Sequence, residues 1–417
     1  MSAITHTIRN TRIVLAGVLI AIVLHSFHQL YNFGDVITPM VLLDKPGDIL
    51  FDDSNSTNTS ISLSSSSSSS SSPWMIGNHQ PVKPIVEFER QDGVVIVTKI
   101  HGPTHTKLLE QMLCLLTKAY NERMRYDVII FTTLSFPNDT MAYVQGLGAP
   151  ANVTFVQDNP GLQTLIDQLD PIRKQTFLER CNITTPEQRD RLHWYSTCLE
   201  DGSPQRLAYT WQAEFRALHI WNHPALIPYR YMVWMDTDGF CTEVWRRDPV
   251  AFFLQHQLVI LFDHFPMGSS RGHDFAQRYQ TAFNTSVCGI GMDEGRLTAR
   301  LGRDCTLPRV KQIHGFFHIT DLAFYRSPPV QHWVKTLIGD AFLSRKYDDQ
   351  IAVTVPAAVL APNRSWEMEY HGMKLNVFHN FKMDGKTGVG GFLKYWKQYG
   401  EQNFTTAWNV CPVTAGG

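Results

Sequence analysis

The sequence has 417 residues, of which 43% are hydrophobic and 18% are charged, so it can bury one large core or two ordinary ones. Its 37 basic and 38 acidic residues give a formal net charge of -1, which provides no overall field that would attract nucleic acid. The composition therefore excludes a mainly disordered chain and predicts no nucleic-acid partner. Any anionic partner must be bound by local groups.

The first predicted element is a membrane-spanning helix over residues 13–33. Arg9 and Arg12 precede the apolar run IVLAGVLIAIVL at residues 13–24. Residues 25–33 extend the predicted helix but include His and Ser among the apolar residues. The following residues offer no good small-residue cleavage site, so an uncleaved signal anchor is favoured over a cleavable signal peptide. Because positive charge before the span keeps the short tail cytosolic, the sequence predicts a tail at residues 1–12 and a type II protein with its remainder in the lumen.

Sequons and cysteines independently indicate the secretory pathway. Eight asparagines begin Asn-X-Ser/Thr without proline in the middle, which is more than chance would supply. They are Asn55, Asn58, Asn138, Asn152, Asn182, Asn284, Asn363 and Asn403. The seven cysteines suit an oxidising compartment and lack the Cys-X-X-Cys spacing of metal sites. At most three disulfides can form, and one thiol is left over.

Residues 34–85 are predicted to form a flexible stem. The stretch has little periodicity and contains nine consecutive serines, Ser64 to Ser72. Such a segment cannot bury enough apolar area to offset the entropy lost on ordering, and its serines are candidates for O-glycosylation. The order of tail, anchor, stem and a lumenal domain at residues 86–417 is typical of glycosyltransferases in the Golgi membrane.

Strand and helix patterns alternate at the start of the lumenal domain. The run GVVIVTKI at residues 93–100 predicts a buried strand, apolar residues at helical spacing follow it, and YDVIIFTT from Tyr126 predicts a second strand. Residues 152–156 predict a third strand and residues 206–221 a further helix. This order, with short connections, predicts an α/β fold built on a parallel sheet with right-handed crossovers.

The stretch YRYMVWMDTDGF at residues 229–240 places two carboxylates after an apolar run. Residues 231–235 predict a buried strand, so Asp236 and Asp238 follow its carboxyl end, where open α/β sheets bind ligands. A turn lets both side chains reach one hard cation, and Mn²⁺ or Mg²⁺ so held can bridge to a diphosphate. An isolated Asp-X-Asp-Gly is usually a surface turn, but the strand and the domain layout favour the metal site of a nucleotide-sugar transferase.

Three later stretches carry further candidate site residues. HGFFHITDLAFYRS contains His318 and Asp321, KYDDQIAV contains Asp348 and Asp349, and EYHGMKLNVFHNF contains His371 and His379. A late histidine suits the remaining position of a metal shell, although most of the 17 histidines must have structural or merely exposed roles.

Several stretches together resemble the fungal-type α-1,2-mannosyltransferases of glycosyltransferase family 15. The matching words are AYTWQAEF from Ala208, HPALIPYRY from His223, DTD from Asp236, FFHITDLAFYRS from Phe316, YDDQIA from Tyr347 and FHN from Phe378. They occur in the family's order over residues 90–385, with low identity between them. The resemblance is that of a distant member.

The resemblance implies an α/β fold of the GT-A type, the Rossmann-like fold of nucleotide-diphospho-sugar transferases. It also implies Mn²⁺, GDP-mannose as donor, and retaining transfer to the 2-hydroxyl of a mannose on a glycoprotein glycan. By motif position, Tyr209, Asp236 and Asp238 bind the donor, and His379 joins the two aspartates as metal ligand. His371 is the alternative to His379 as the third metal ligand.

One position departs from the family. His318, in Phe-His-Ile-Thr-Asp-Leu, stands where the family has its proposed catalytic glutamate. A neutral imidazole is a poor substitute for the carboxylate that forms a covalent glycosyl ester, so we favour same-face substitution assisted by the leaving phosphate, or Asp321 in the glutamate's role. The candidate catalytic residues are therefore His318, Asp321 and Asp349. Two other functions stay open: a GT-A transferase using another nucleotide sugar such as UDP-galactose, and a non-catalytic lumenal glycan-binding subunit.

Overall fold

The structure, a computed structural model, describes residues 88–103, 106–181, 197–200, 203–264, 269–270, 273–302, 305, 308–339, 349–379 and 411. The predicted tail, signal anchor and Ser-rich stem lie outside these ranges, as do Asp348 and four of the eight sequons. None of the helices in the described ranges combines the length and apolar composition that crossing a bilayer requires.

Fifteen strands and eleven α-helices make up the described part of the chain. The strands are β1 (Val94–Ile100), β2 (Asp127–Thr132), β3 (Val153–Gln157), β4 (Thr197–Glu200), β5 (Ser203–Arg206), β6 (Tyr231–Met235), β7 (Gly239–Cys241), β8 (Ile260–Phe262), β9 (Ser269–Ser270), β10 (Ser286–Asp293), β11 (Arg296–Gly302), β12 (Arg309–Val310), β13 (Phe317–Asp321), β14 (Ser365–Glu367) and β15 (Val377–His379). The helices are α1 (Thr106–Leu116), α2 (Glu122–Met124), α3 (Asn138–Leu147), α4 (Leu162–Gln168), α5 (Pro171–Arg180), α6 (Leu207–Glu214), α7 (Pro249–Gln255), α8 (His273–Phe283), α9 (Leu322–Tyr325), α10 (Pro328–Ile338) and α11 (Asp349–Leu360). Helices α1 and α6 continue into π-helical segments, Thr117–Asn121 and Phe215–His219.

Eleven strands form one sheet in the order β3-β2-β1-β6-β13-β8-β14-β11-β10-β12-β9. Strands β3, β2, β1 and β6 are parallel, as the strand and helix order predicts. Strand β13 runs antiparallel to both β6 and β8, so the sheet is mixed and the prediction of a parallel sheet holds only for its first part. The four predicted strands are confirmed to within one residue at each end.

The centre of the sheet is covered by helices on both faces. Consecutive strand residues point to opposite faces, so Val95 and Val97 of β1 pack in one core with Trp211 and Phe215, while Ile96 packs in the other. The second core contains residues of α1 and α7, and the first contains residues of α6, α10 and α11. Burial on both faces explains why β1 reads as a continuous apolar run.

The cysteines agree with the expectation of one unpaired thiol. Cys114 pairs with Cys411 and Cys288 with Cys305, and Cys181 is also disulfide-bonded. Cys241, in β7, is a buried free thiol. Burial raises the pKa of this thiol, which keeps it protonated and unreactive at neutral pH.

Candidate metal centre

A tight turn presents Asp236 and Asp238 at the carboxyl end of β6. The Asp236 amide donates to the carbonyl of Phe316 at 2.8 Å, which holds the strand end against the segment before β13. The Gly239 amide donates to the Asp236 carbonyl at 2.9 Å and closes the turn. A Cβ at Gly239 would lie 3.2 Å from that carbonyl oxygen, so the glycine lets the chain fold back closely.

A two-stranded antiparallel ribbon of β7 and β15 brings His379 to the aspartates. His379 pairs with Gly239 across this ribbon. Its Nε2 lies 3.2 Å from Oδ1 of Asp238 and 3.9 Å from Oδ2 of Asp236, and one ligand atom from each of the three residues lies within 4.8 Å of the others. We call these three partly exposed residues the metal cluster. The sequence assignment of His379 is consistent with this geometry.

The donor set of the metal cluster fits a divalent cation. Carboxylate oxygens suit both Mn²⁺ and Mg²⁺, whereas an imidazole nitrogen suits Mn²⁺ better, because Mg²⁺ prefers oxygen ligands. Three protein ligands would leave coordination positions for substrate oxygens, and all three residues are partly exposed to solvent. The residues present therefore fit Mn²⁺ as the implied metal.

Two donors from the protein interior bind one oxygen of Asp236. Trp234 Nε1 donates to Oδ1 at 2.8 Å, and Arg216 Nη1 donates to the same oxygen at 3.1 Å. Burial raises the pKa of Asp236, and the charge of Arg216 is the largest effect that opposes this rise. Asp238 raises this pKa further, whereas His379 and the Trp234 bond lower it. Arg216 thus stabilises the ionised form that a metal ligand needs.

Arg216 links the metal cluster to Asp349. Its Nη1 lies 2.9 Å from Oδ2 of Asp349, its Nη2 donates to the Gly315 carbonyl, and its guanidinium carbon lies 4.0 Å from the Trp234 ring centroid. The side chain sits in the π-helical segment after α6 and is only 8% exposed. Sequence analysis missed Arg216; the available signal was a basic residue directly after a core aromatic, Phe215, in a predicted helix.

His318 lies in the interior beside Arg216. It is 2% exposed, pairs with Trp234 across β13 and β6, and its ring stacks on that indole at a centroid distance of 6.5 Å. Burial, and then the charge of Arg216, lower the pKa of His318 well below its usual 6.5, so the ring is neutral. Its Nδ1 is buried without a hydrogen-bond partner among the described residues. His318 lines a small cavity together with Arg216 and Asp349.

Aromatic rings hold His379 in place. Phe316 stacks on His379 at a centroid distance of 4.7 Å, and His314 meets it edge-on at 4.7 Å. Burial is the main cause that lowers the pKa of His314 to about 4, so this neighbour is neutral and does not repel a cation. His264 in turn stacks on His314 at 4.8 Å. The imidazole of His379 is therefore packed between the rings of Phe316 and His314.

Solved structures share this fold. Core-mannan synthase A from Aspergillus fumigatus, in a Mn/GDP form, matches with a TM-score of 0.51 and 15% identity, over 76% of this chain and 86% of that one. The protein has the mixed α/β fold of a solved glycosyltransferase. The mannosyltransferase Ktr4p from S. cerevisiae, in complex with GDP, matches with a TM-score of 0.47 and 11% identity, over 76% of this chain and 84% of that one. No family model and no curated protein matches the sequence.

The structure places Asp321 at the opposite end of the strands β6 and β13 from the metal cluster. Asp321 pairs with Tyr231 at the start of β6, whereas the aspartate turn follows the end of that strand. Its Oδ1 accepts a hydrogen bond from the Ala323 amide at 2.9 Å and caps α9, and its Oδ2 lies 3.5 Å from Arg230 Nη2. A helix cap accounts for this buried carboxylate. The expectation that Asp321 replaces the family's glutamate has no geometric support.

The structure also places two other predicted residues, His371 and Tyr209. His371 stacks on Trp366 at a centroid distance of 4.2 Å, so the structure brings His379 rather than His371 to the aspartates. Tyr209 lies on α6 and is 51% exposed, which leaves its ring accessible to a ligand. Its donor-binding role stays a prediction.

Proposed function

We propose that the protein is a metal-dependent, retaining glycosyltransferase with a GT-A fold that transfers mannose from GDP-mannose to a mannosyl acceptor on glycoproteins. The observation that carries this proposal is the metal cluster of Asp236, Asp238 and His379 at the carboxyl end of β6. The fold shared with a core-mannan synthase solved in a Mn/GDP form supports the choice of metal, nucleotide and sugar. The sequence segments that resemble those of α-1,2-mannosyltransferases support an α-1,2 linkage.

The proposed chemistry assigns each group a part. When bound at the metal cluster, Mn²⁺ supplies the positive charge that offsets the charge developing on the nucleoside diphosphate leaving group. Asp236 and Asp238 hold the cation through oxygen and His379 through nitrogen. Tyr209, on an exposed position of α6, contacts the donor. Asp349, which forms an ion pair with Arg216, orients a sugar hydroxyl.

His318 bears on the stereochemical course of the transfer. Because it is buried, neutral and stacked on Trp234, we assign it no role as a nucleophile toward the anomeric carbon of the donor. Retention then proceeds by same-face substitution, in which an oxygen of the leaving phosphate takes the proton of the acceptor hydroxyl. This course needs no protein nucleophile, so the substitution of glutamate by histidine is compatible with activity.

A non-catalytic lumenal glycan-binding subunit is the second candidate function. The observation that favours it is the same His318, which stands where the resembling enzymes have a carboxylate. The two candidates differ in one measurable property. An enzyme binds the nucleotide in a Mn²⁺-dependent manner, whereas a glycan-binding subunit binds mannose chains without it.

The function is tested by a donor screen on the purified full chain. Nucleoside diphosphate release is measured with GDP-mannose, GDP-fucose, UDP-galactose and UDP-glucose, each with a mannoside acceptor and with Mn²⁺ or EDTA. We expect release from GDP-mannose alone, only with Mn²⁺, and an α-linked product by NMR. Release from a UDP-sugar instead would show that GDP-mannose is not the donor. Glycan binding without nucleotide binding in calorimetry would refute the proposal that the protein is an enzyme.

Location and topology are proposed separately. We infer a single-pass type II protein of the Golgi membrane, with the anchor at residues 13–33 and the catalytic domain in the lumen. The apolar N-terminal run and the sequons support this. Protease protection of the domain in sealed Golgi vesicles, together with an N-terminus that retains residues 13–24, is the expected result. A mature chain that begins after residue 33 would contradict the anchor.

A further inference from the structure

Arg216 bears on the proposed metal site through Asp236. We infer that Arg216 is a positioning residue that fixes Asp236 as a single-oxygen ligand of the metal and joins it to Asp349. The inference rests on the proposed metal-dependent function and adds a residue that neither the motif nor the family resemblance indicates.

The two oxygens of Asp236 have different surroundings. Oδ1 accepts from Arg216 Nη1 at 3.1 Å and from Trp234 Nε1 at 2.8 Å. Oδ2 is the oxygen that lies 3.9 Å from His379 Nε2, on the side of the metal cluster. Because both interior donors hold Oδ1, the carboxylate plane is fixed and Oδ2 is left for a cation. Hydrogen bonds of this kind orient metal-ligating carboxylates.

The guanidinium is itself held on several sides, so it can act as a rigid support. Asp349, Gly315 and the Trp234 ring contact it, and each comes from a different segment of the chain. A Cβ at Gly315 would lie 3.3 Å from Arg216 Nη2 and 3.2 Å from Asp349 Oδ2, so the absence of a side chain there admits this arrangement. The planar guanidinium has several N–H donors and can donate to these acceptors at the same time, whereas the ammonium of a lysine cannot reproduce its geometry.

A purely electrostatic role and a positioning role of Arg216 predict opposite changes in cation affinity when Arg216 is removed. Asp236, Asp238 and Asp349 carry negative charge when ionised, and Arg216 offsets part of it. If Arg216 acted through charge alone, a neutral residue in its place would make the site more negative and, at a pH at which Asp236 is ionised, strengthen the binding of a cation, whereas Arg216→Lys would leave it unchanged. If Arg216 positions Asp236, the same change releases the carboxylate and weakens cation binding. The sign of the change in affinity therefore separates the two roles.

The experiment titrates the purified full chain with Mn²⁺ alone and follows the electron paramagnetic resonance signal of the free ion. We expect Arg216→Met and Arg216→Lys to weaken Mn²⁺ binding by about 10- to 100-fold, the usual effect of losing a partner that orients a metal ligand. Trp234→Phe removes the other donor to Oδ1 while keeping an aromatic ring, and we expect it to weaken binding in the same direction.

Arg326→Lys is the matched control. Arg326 is a partly buried arginine whose guanidinium donates to the backbone carbonyls of Trp221, Leu226 and Tyr229. This variant loses structural hydrogen bonds by the same substitution, and we expect it to keep the wild-type affinity for Mn²⁺. Thermal unfolding by circular dichroism shows which variants are folded; if Arg216→Met does not fold, Arg216→Lys and Trp234→Phe decide.

The possible results distinguish this inference from the proposed function. A wild-type chain that does not bind Mn²⁺ overturns both. A wild-type chain that binds Mn²⁺, with folded Arg216 variants that bind it equally or more tightly, overturns the positioning role and leaves the metal site standing. An equal loss in Arg326→Lys also overturns it, because the effect would then come from general destabilisation.

Discussion

His379 Nε2 lies 3.2 Å from Oδ1 of Asp238, although the two residues are far apart in the sequence. Pairing of β7 with β15 produces this contact, since His379 is opposite Gly239, the residue directly after Asp238. The register of a short ribbon thus sets the third donor of the metal cluster. A slip of one residue would turn His379 to the other face.

Asp238→Asn tests the metal cluster directly. The amide keeps the size of the side chain but removes the anionic oxygen, so we expect Mn²⁺ binding and Mn²⁺-dependent nucleoside diphosphate release to be lost. Thermal unfolding should be unchanged, because Asp238 and its partner His379 are both partly exposed to solvent, where an ion pair contributes little to stability. Asp139→Asn, at an exposed position in α3, is the control and should behave as wild type. Full activity in Asp238→Asn would refute the metal assignment.

The sequence predicted the parts of the fold that depend on local pattern. Strands β1, β2 and β6 were predictable because burial on both faces requires continuous apolar runs. The position of Asp236 and Asp238 followed from the end of β6. The antiparallel insertion of β13 beside β6 was not predictable, because strand order in a sheet depends on long-range pairing that periodicity does not record.

The site residues divide in the same way. His379 could be assigned only through the family resemblance, and the structure places it beside the aspartates. Asp321 and His318 occur in one motif, yet they lie three positions apart on β13, and only His318 lines the cavity that contains Arg216. Arg216 escaped sequence analysis because its role depends on a π-helical segment and on contacts with three distant segments.

Asp321→Ala separates a structural carboxylate from a catalytic one. Asp321 caps α9 through the Ala323 amide, and loss of such a cap costs about 0.5–2 kcal/mol of unfolding free energy. We expect a destabilisation of that size in urea unfolding, with Mn²⁺ affinity and the rate of transfer at low temperature unchanged. A folded variant with abolished transfer would restore Asp321 as a catalytic candidate.

Gly315→Ala tests the support behind the metal cluster. The added Cβ would lie 3.1 Å from Gln350 Cγ and 3.2 Å from Asp349 Oδ2, so Asp349, which contacts Arg216, must shift. We expect transfer to fall about 10-fold through loss of positioning, as for other groups that orient metal ligands. Gly146→Ala is the control: its Cβ meets nothing within 4 Å, and alanine in this helix should stabilise the protein by about 0.5–1 kcal/mol. Equal transfer in the two variants would contradict the expectation.

The pair Asp263 and His264 predicts a pH-dependent term in stability. Asp263 Oδ2 lies 2.5 Å from His264 Nδ1, and this hydrogen bond is the main cause that raises the pKa of His264 above its usual 6.5. The folded state then binds this proton more tightly than the unfolded state. The stabilisation is fully present below pH 6.5 and is lost as pH rises through the raised pKa.

Urea unfolding between pH 5.5 and 8.5 measures this term as the difference between wild type and Asp263→Asn. We expect the wild-type excess in unfolding free energy to be constant below pH 6.5 and to fall above it. His314 does not obscure the result: its pKa is lowered to about 4, so its contribution is lost as pH falls below 6.5, outside the decisive window. An NMR titration of the His264 ring supplies the pKa itself, which Asp263→Asn should lower. A wild-type excess that rises with pH above 6.5 would contradict the assigned role of the pair.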